Sequence, residues 1–125
     1  MTSRTAGFSL IELIVVMAII AVLVTIALPR YQSSVDHSKV VALQGNLRVL
    51  REAIDRYQED RAKFPENLQQ LTEQHYIREI PIDPMTDSAQ TWVLVEERAG
   101  DNTGIVDVHS GAKGSTPQGV AYGDL

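Results

Sequence analysis

The stretch Phe8 to Leu28, FSLIELIVVMAIIAVLVTIAL, decides how the rest of the chain is arranged. It has 21 residues and one charge, Glu12. As a helix rising about 1.5 Å per residue it spans roughly 31 Å. That matches the roughly 30 Å hydrocarbon core of a bilayer. Gly7 stands before it, behind a polar leader, MTSRTA, whose one cation is Arg4. Pro29 and Arg30 follow it. Three ordinary explanations fall short. A secretory signal peptide has an apolar region of about 7–15 residues ending at a small-residue cleavage site. Here the run is longer, and only the weak Thr25-Ile26-Ala27 stands where such a site belongs. A plain membrane anchor explains everything except Glu12, because an acid within a spanning helix is expensive and marks function. The core helix of a soluble domain would not stay apolar on all faces from Leu13 to Leu28.

Gly7-Phe8-Ser9-Leu10-Ile11-Glu12 resembles the prepilin-type processing motif of type IV pilins and type II secretion pseudopilins. The short basic leader, the apolar run and Pro29 also fall where that family has them. The resemblance implies cleavage between Gly7 and Phe8 by a prepilin peptidase and N-methylation of Phe8. It implies a helical filament in which Glu12 of one subunit meets the Phe8 amine of the next. The implied location is the bacterial inner membrane, single-pass, with a cytoplasmic N-terminus before cleavage and a periplasmic head in the assembled pseudopilus. The implied partners are further copies of the chain in a homopolymer, minor pseudopilins, the peptidase, an inner-membrane assembly platform and membrane lipid. The apolar segment departs from many pilins in having no glycine, which leaves Pro29 as the kink point. Arg4 lies on one side of the span, and Arg30 and Lys39 on the other. The positive-inside bias is therefore weak, and orientation follows from the resemblance.

The chain has 125 residues and a formal net charge of −5, and loss of Arg4 makes it more acidic. An acidic balance gives no electrostatic reason to expect nucleic-acid binding. Beyond leader and span, about 97 residues remain, enough for one small domain. There is no cysteine, so the covalent staple usual in small exported domains is missing. By resemblance, this favours the major pseudopilin of type II secretion over pilins that close a C-terminal loop with a disulfide.

After the span the pattern changes. Val40, Leu43, Leu47, Leu50, Ile54 and Tyr57 recur at spacings of three and four, one stripe of a helix. Arg48, Arg51, Glu52, Asp55, Arg56 and Glu59 fill the opposite face, where one-turn pairs add a few tenths of a kcal/mol each. Gly45, inside this helix, costs about 1 kcal/mol relative to Ala. The expectation is one helix from Ser9 to about Arg61, whose stripe needs a partner from later in the chain. Lys63-Phe64-Pro65 ends it, and Glu66 to Thr72 can form a short helix with Leu68 and Leu71 on one side. Two prolines make Tyr76 to Pro84, YIREIPIDP, an extended loop. This run also resembles the segment between spine and sheet in major pseudopilins. Thr91 to Glu96 and Ile105 to His109 read as strands across turn residues Gly100 to Gly104. Alternation puts Ile105, Asp107 and His109 on one face and Val106 and Val108 on the other. The tail from Gly111 is a loop anchored by Tyr122, with room for one short strand. The expected fold is α+β and pilin-like: a long N-terminal helix packed on a small antiparallel sheet. Its parts are a leader 1–7, a membrane or filament-core helix 8–28, an amphipathic helix 29–62, and loop, hairpin and tail 63–125.

Little in the chain suggests catalysis. Asp107, His109 and Ser110 are neighbours in sequence, whereas triads are assembled in space, and there is no G-x-S-x-G elbow. His37, His75 and His109 lack ligand spacing. No P-loop is present, so a filament motor must be a separate protein. The family resemblance implies at most one cofactor, Ca2+, held in C-terminal loops by acids and backbone oxygens. Here the tail after Gly111 has a single acid, Asp124, so the acid-rich loop is missing. Asp101, Asp107 and Asp124 are the candidate ligands, with Asn102, Asp83 and Asp87 as further oxygen donors. Against this, Asp and Asn in such loops ordinarily serve turn geometry. The expected function is a structural pseudopilin subunit of a type II secretion system. The rivals are a type IV pilin or minor pilin acting in adhesion, motility or DNA uptake, and a single-span periplasmic binding module.

Overall fold

The structure, a computed structural model, describes residues 6–125. Arg4 and the rest of residues 1–5 lie outside the described residues. One compact unit extends to His37, and the other is Ser38–Leu125. Helix α1, Leu10–Arg61, is 52 residues long and contains Pro29. Proline lacks the N–H that would bond the Thr25 carbonyl, yet the helix continues through it. One turn earlier the Thr25 hydroxyl donates to the Ala21 carbonyl at 2.7 Å.

In the first unit the side chains from Phe8 to Leu28 are all exposed. Among the described residues α1 is the one helix long and apolar enough to cross a membrane, and its apolar window is not buried by the chain itself. An apolar surface of this extent marks a lipid or protein contact. A soluble core helix is thereby ruled out.

In the second unit the stripe of α1 is the centre of the core. Val40, Leu43, Leu47, Leu50, Ile54 and Tyr57 are all buried, and Ala53 joins them. Helix α2, Leu68–Glu73, starts at Asn67, whose side-chain oxygen accepts from the Gln70 N–H. Such a cap satisfies one of the otherwise unpaired N–H groups of the first turn. It presents Leu68 and Leu71 to the core. Trp92, Ile105 and Val108 cover the stripe from the other side. The Trp92 indole N–H donates to the Pro81 carbonyl at 2.8 Å, tying the proline-rich loop to the sheet.

Strands β1, Val93–Ala99, and β2, Asn102–His109, form a two-stranded antiparallel sheet. The fold is thus α+β, a long helix against a small sheet. Three details correct the sequence-based expectation. The turn is shorter, since Ala99 pairs with Asn102 across Gly100 and Asp101. Gly100 takes a φ of 65°, which glycine adopts without strain. The second correction concerns β2. Val95 pairs with Asp107 but Glu96 pairs with Ile105, so Val106 is an extra residue. A bulge of this kind shifts the alternation by one. Ile105 and Val108 therefore share the core face instead of lying on opposite faces, and both are fully buried. Third, the tail adds no strand to the sheet. It folds on itself through a bridge between Ser115 and Ala121 and a 3₁₀ turn, Tyr122–Asp124. Tyr122 packs against the core as expected.

Two glycines set close approaches. A Cβ at Gly104 would collide with Phe64, and one at Gly111 with the Thr91 carbonyl. Next to Gly104, the Ile105 N–H donates to the Pro65 carbonyl at 2.8 Å, joining the α1–α2 connection to the sheet.

Candidate functional site

The site expected from sequence is the start of α1. Ser9 is the residue that starts it. Its hydroxyl accepts from the Glu12 N–H at 3.2 Å, and its carbonyl accepts from the Leu13 N–H at 3.1 Å. Ser9-Leu10-Ile11-Glu12 has the S-x-x-E spacing of a capping box, with Glu12 at the third helical position. The sequence carried this signal, and reasoning from the membrane span alone passed over it. An acid in the first turn also faces the positive end of the helix dipole. Glu12 therefore has a local reason to be tolerated in an apolar segment.

Phe8 precedes the cap and is 88% exposed. Gly7 is exposed, and nothing lies within 4 Å of where its Cβ would stand. The peptide between them is open to a protease. Phe8 and Glu12 border one shallow groove of about 280 Å³ with Ile11, Val15 and Val16. The structure thus brings Phe8 and Glu12 together on a wall otherwise apolar.

The candidate metal ligands are not brought together. Asp101 lies exposed in the hairpin turn, Asp124 lies exposed in the 3₁₀ turn, and Asp107 lies at the bulge. Among the described residues no three His, Asp or Glu side chains form a group that could hold a metal. Asp87 is exposed. Asp83 is fully buried, and its carboxylate accepts from the Met85 N–H and the Ser110 hydroxyl. Its role is the turn geometry that Asp favours.

The sequence pattern places Arg51 on the face opposite the apolar stripe. Instead it turns toward the sheet and forms an ion pair with Asp107 at 2.9 Å. Its guanidinium also donates to the carbonyls of Val108 and Leu125. His109 Nε2 lies 3.4 Å from the other Asp107 oxygen. Burial pushes the Asp107 carboxyl up. The Val108 N–H, the hydrogen bond and charge of Arg51, and the charge of His109 outweigh it and hold the carboxyl below its ordinary value.

The described residues thus combine an exposed apolar helix of membrane length, with a capped start, and a small α+β unit. Residues 2–28 match the family described as the prokaryotic N-terminal methylation motif. The chain is 27% identical over 97 residues to type II secretion system core protein G of Pseudomonas aeruginosa, covering 65% of this chain and 68% of that one. It is 45% identical over 49 residues to the type IV major alpha-pilin of Moraxella bovis, covering 39% of this chain and 31% of the pilin. It is 28% identical over 72 residues to competence protein ComGC of Halalkalibacterium halodurans, covering 58% of this chain and 71% of that one. The chain thus spans about a third of the pilin's length. No solved structure matches it. The chain carries a prokaryotic N-terminal methylation motif and is similar over part of its length to type II secretion, type IV pilin and competence proteins. Its relatives are pilin, secretion and competence proteins by name, not enzymes.

Proposed function

We propose that this chain is a pseudopilin subunit of a type II secretion system. A prepilin peptidase cleaves it after Gly7, and Phe8 becomes the methylated N-terminus. The mature chain sits in the inner membrane with its head in the periplasm and Pro29 as the bend point of the helix. An inner-membrane platform adds it to a homopolymer topped by minor pseudopilins. The filament pushes folded proteins through an outer-membrane channel, driven by a separate ATPase. The observation that carries this reading is the length of the similarity to core protein G. It covers 65% of this chain, about 81 of its 125 residues, whereas α1 has 52, so it includes head residues and not the shared helix alone. The match to the competence protein keeps a second reading in view, a pilin-like subunit in DNA uptake. Deletion of the gene in its own host separates the two. The proposal expects exported proteins to accumulate in the periplasm while transformation and surface motility continue. Normal export with lost transformation or motility would favour the second reading.

A further inference from the structure

We infer that Arg51 is the built-in cation of this head, holding the C-terminal tail where the resemblance to major pseudopilins implies calcium. A hard cation binds carboxylate and carbonyl oxygens. Around Arg51 those same kinds of oxygen are gathered from two parts of the chain. Nε donates to Asp107 Oδ1 at 2.9 Å. Nη2 donates to the Val108 carbonyl at 2.9 Å and to the Leu125 carbonyl at 2.7 Å. A guanidinium suits this role because its donors are planar, fixed and permanently charged.

The acids that calcium would need are already committed or dispersed. Asp107 Oδ1 also accepts from the Val108 N–H at 2.8 Å, and its Oδ2 faces His109. The Asp83 carboxylate is taken by Ser110 and the Met85 N–H. Asp101 and Asp124 sit on separate turns, and both are exposed. A dication brought to Asp107 would have to displace a guanidinium already hydrogen-bonded there, or lie beside it against its repulsion. The residues present do not fit a calcium site. They fit an arginine clamp that joins the C-terminal part of α1, the bulged end of β2 and the last turn of the tail. This rests on the head alone and holds whichever filament system the chain serves.

The test is hydrogen exchange and thermal unfolding of the full chain in detergent micelles, with calcium and with a calcium chelator. The tail reporters are the N–H groups of Tyr122 and Asp124, which donate to the Gly114 and Ala121 carbonyls. The clamp predicts the same exchange and the same midpoint in both conditions. In Arg51→Met the tail amides should exchange about ten- to a hundredfold faster, as expected for losing hydrogen bonds to a charged group. Arg51→Lys keeps the charge without the fork and should lie between. Calcium that slows tail exchange or raises the midpoint of the native sequence would overturn the inference, and so would unchanged tail exchange in Arg51→Met. The calcium comparison uses the native sequence, so it decides even where a variant loses its fold.

Discussion

Glu12 takes part in a local cap in the single chain, and the proposed function gives it a second duty in the filament. In the single chain its backbone N–H is capped by Ser9. Its carboxylate sits on an exposed apolar wall beside Phe8. In the proposed filament that carboxylate meets the methylated amine of Phe8 from the next subunit. At about 4 Å and an effective dielectric near 20, unit charges attract by roughly 4 kcal/mol before desolvation is subtracted. Glu12→Gln leaves the Ser9 cap in place and removes only the charge. It should leave cleavage, membrane insertion and head unfolding unchanged while reducing sheared filaments and export. Normal filament yield and export would remove the assembly role from Glu12. Asp107 makes a second prediction, in pH. Its carboxyl titrates below its ordinary value in the fold and near about 3.9 when unfolded. The clamp's contribution is therefore complete above about pH 4 and lost as pH falls through the lower folded value. Tail amides should lose protection there before those of the core, and Asp107→Asn should abolish that step. The partner of Arg51 was hidden in the sequence for a physical reason. Asp55 lies one turn away, whereas Asp107 is 56 positions distant and reaches Arg51 only through tertiary packing.

At the scale of elements, periodicity carried as far as it physically can. A stripe at spacings of three and four survives in any helix, so Leu43 to Tyr57 was legible and is buried. Alternation in a strand holds only while no residue is inserted, and the extra Val106 breaks it. Gly104 and Gly111 read as turn and linker residues because the backbone they face lies far away in sequence. The tail reads from its composition as a loop anchored by Tyr122, and in the structure Arg51 and the tail's own turn hold it as well. The stripe also sets a stability test. Leu47 and Ile54 are buried to 1% and 0% exposure. Leu47→Asp or Ile54→Asp puts an unpaired charge among apolar side chains, at a cost of about 3 kcal/mol or more. Thermal unfolding of the full chain in micelles should show the head transition lost or lowered by many degrees. An unchanged transition would mean that the stripe does not support the core.

For the whole molecule, one chain must satisfy two environments. The first unit leaves its apolar helix uncovered. The second closes a small core without cysteine, using the α1 stripe, the bulged hairpin and the Arg51 clamp. The uncovered helix is long and apolar enough to cross a membrane, and the proposed processing acts just ahead of it. The Gly7–Phe8 peptide is exposed and lies just ahead of the cap at Ser9. The proposed cleavage there would remove the leader and leave the cap and Glu12 intact. The central claim is that this chain is matured as a prepilin-type subunit. Intact mass spectrometry of protein extracted from membranes of its own host tests that claim most directly. Maturation of this kind gives a chain beginning at Phe8 and heavier by one methyl group. A chain that keeps Met1, or one that begins at Leu28 as after an ordinary signal peptide, would contradict it.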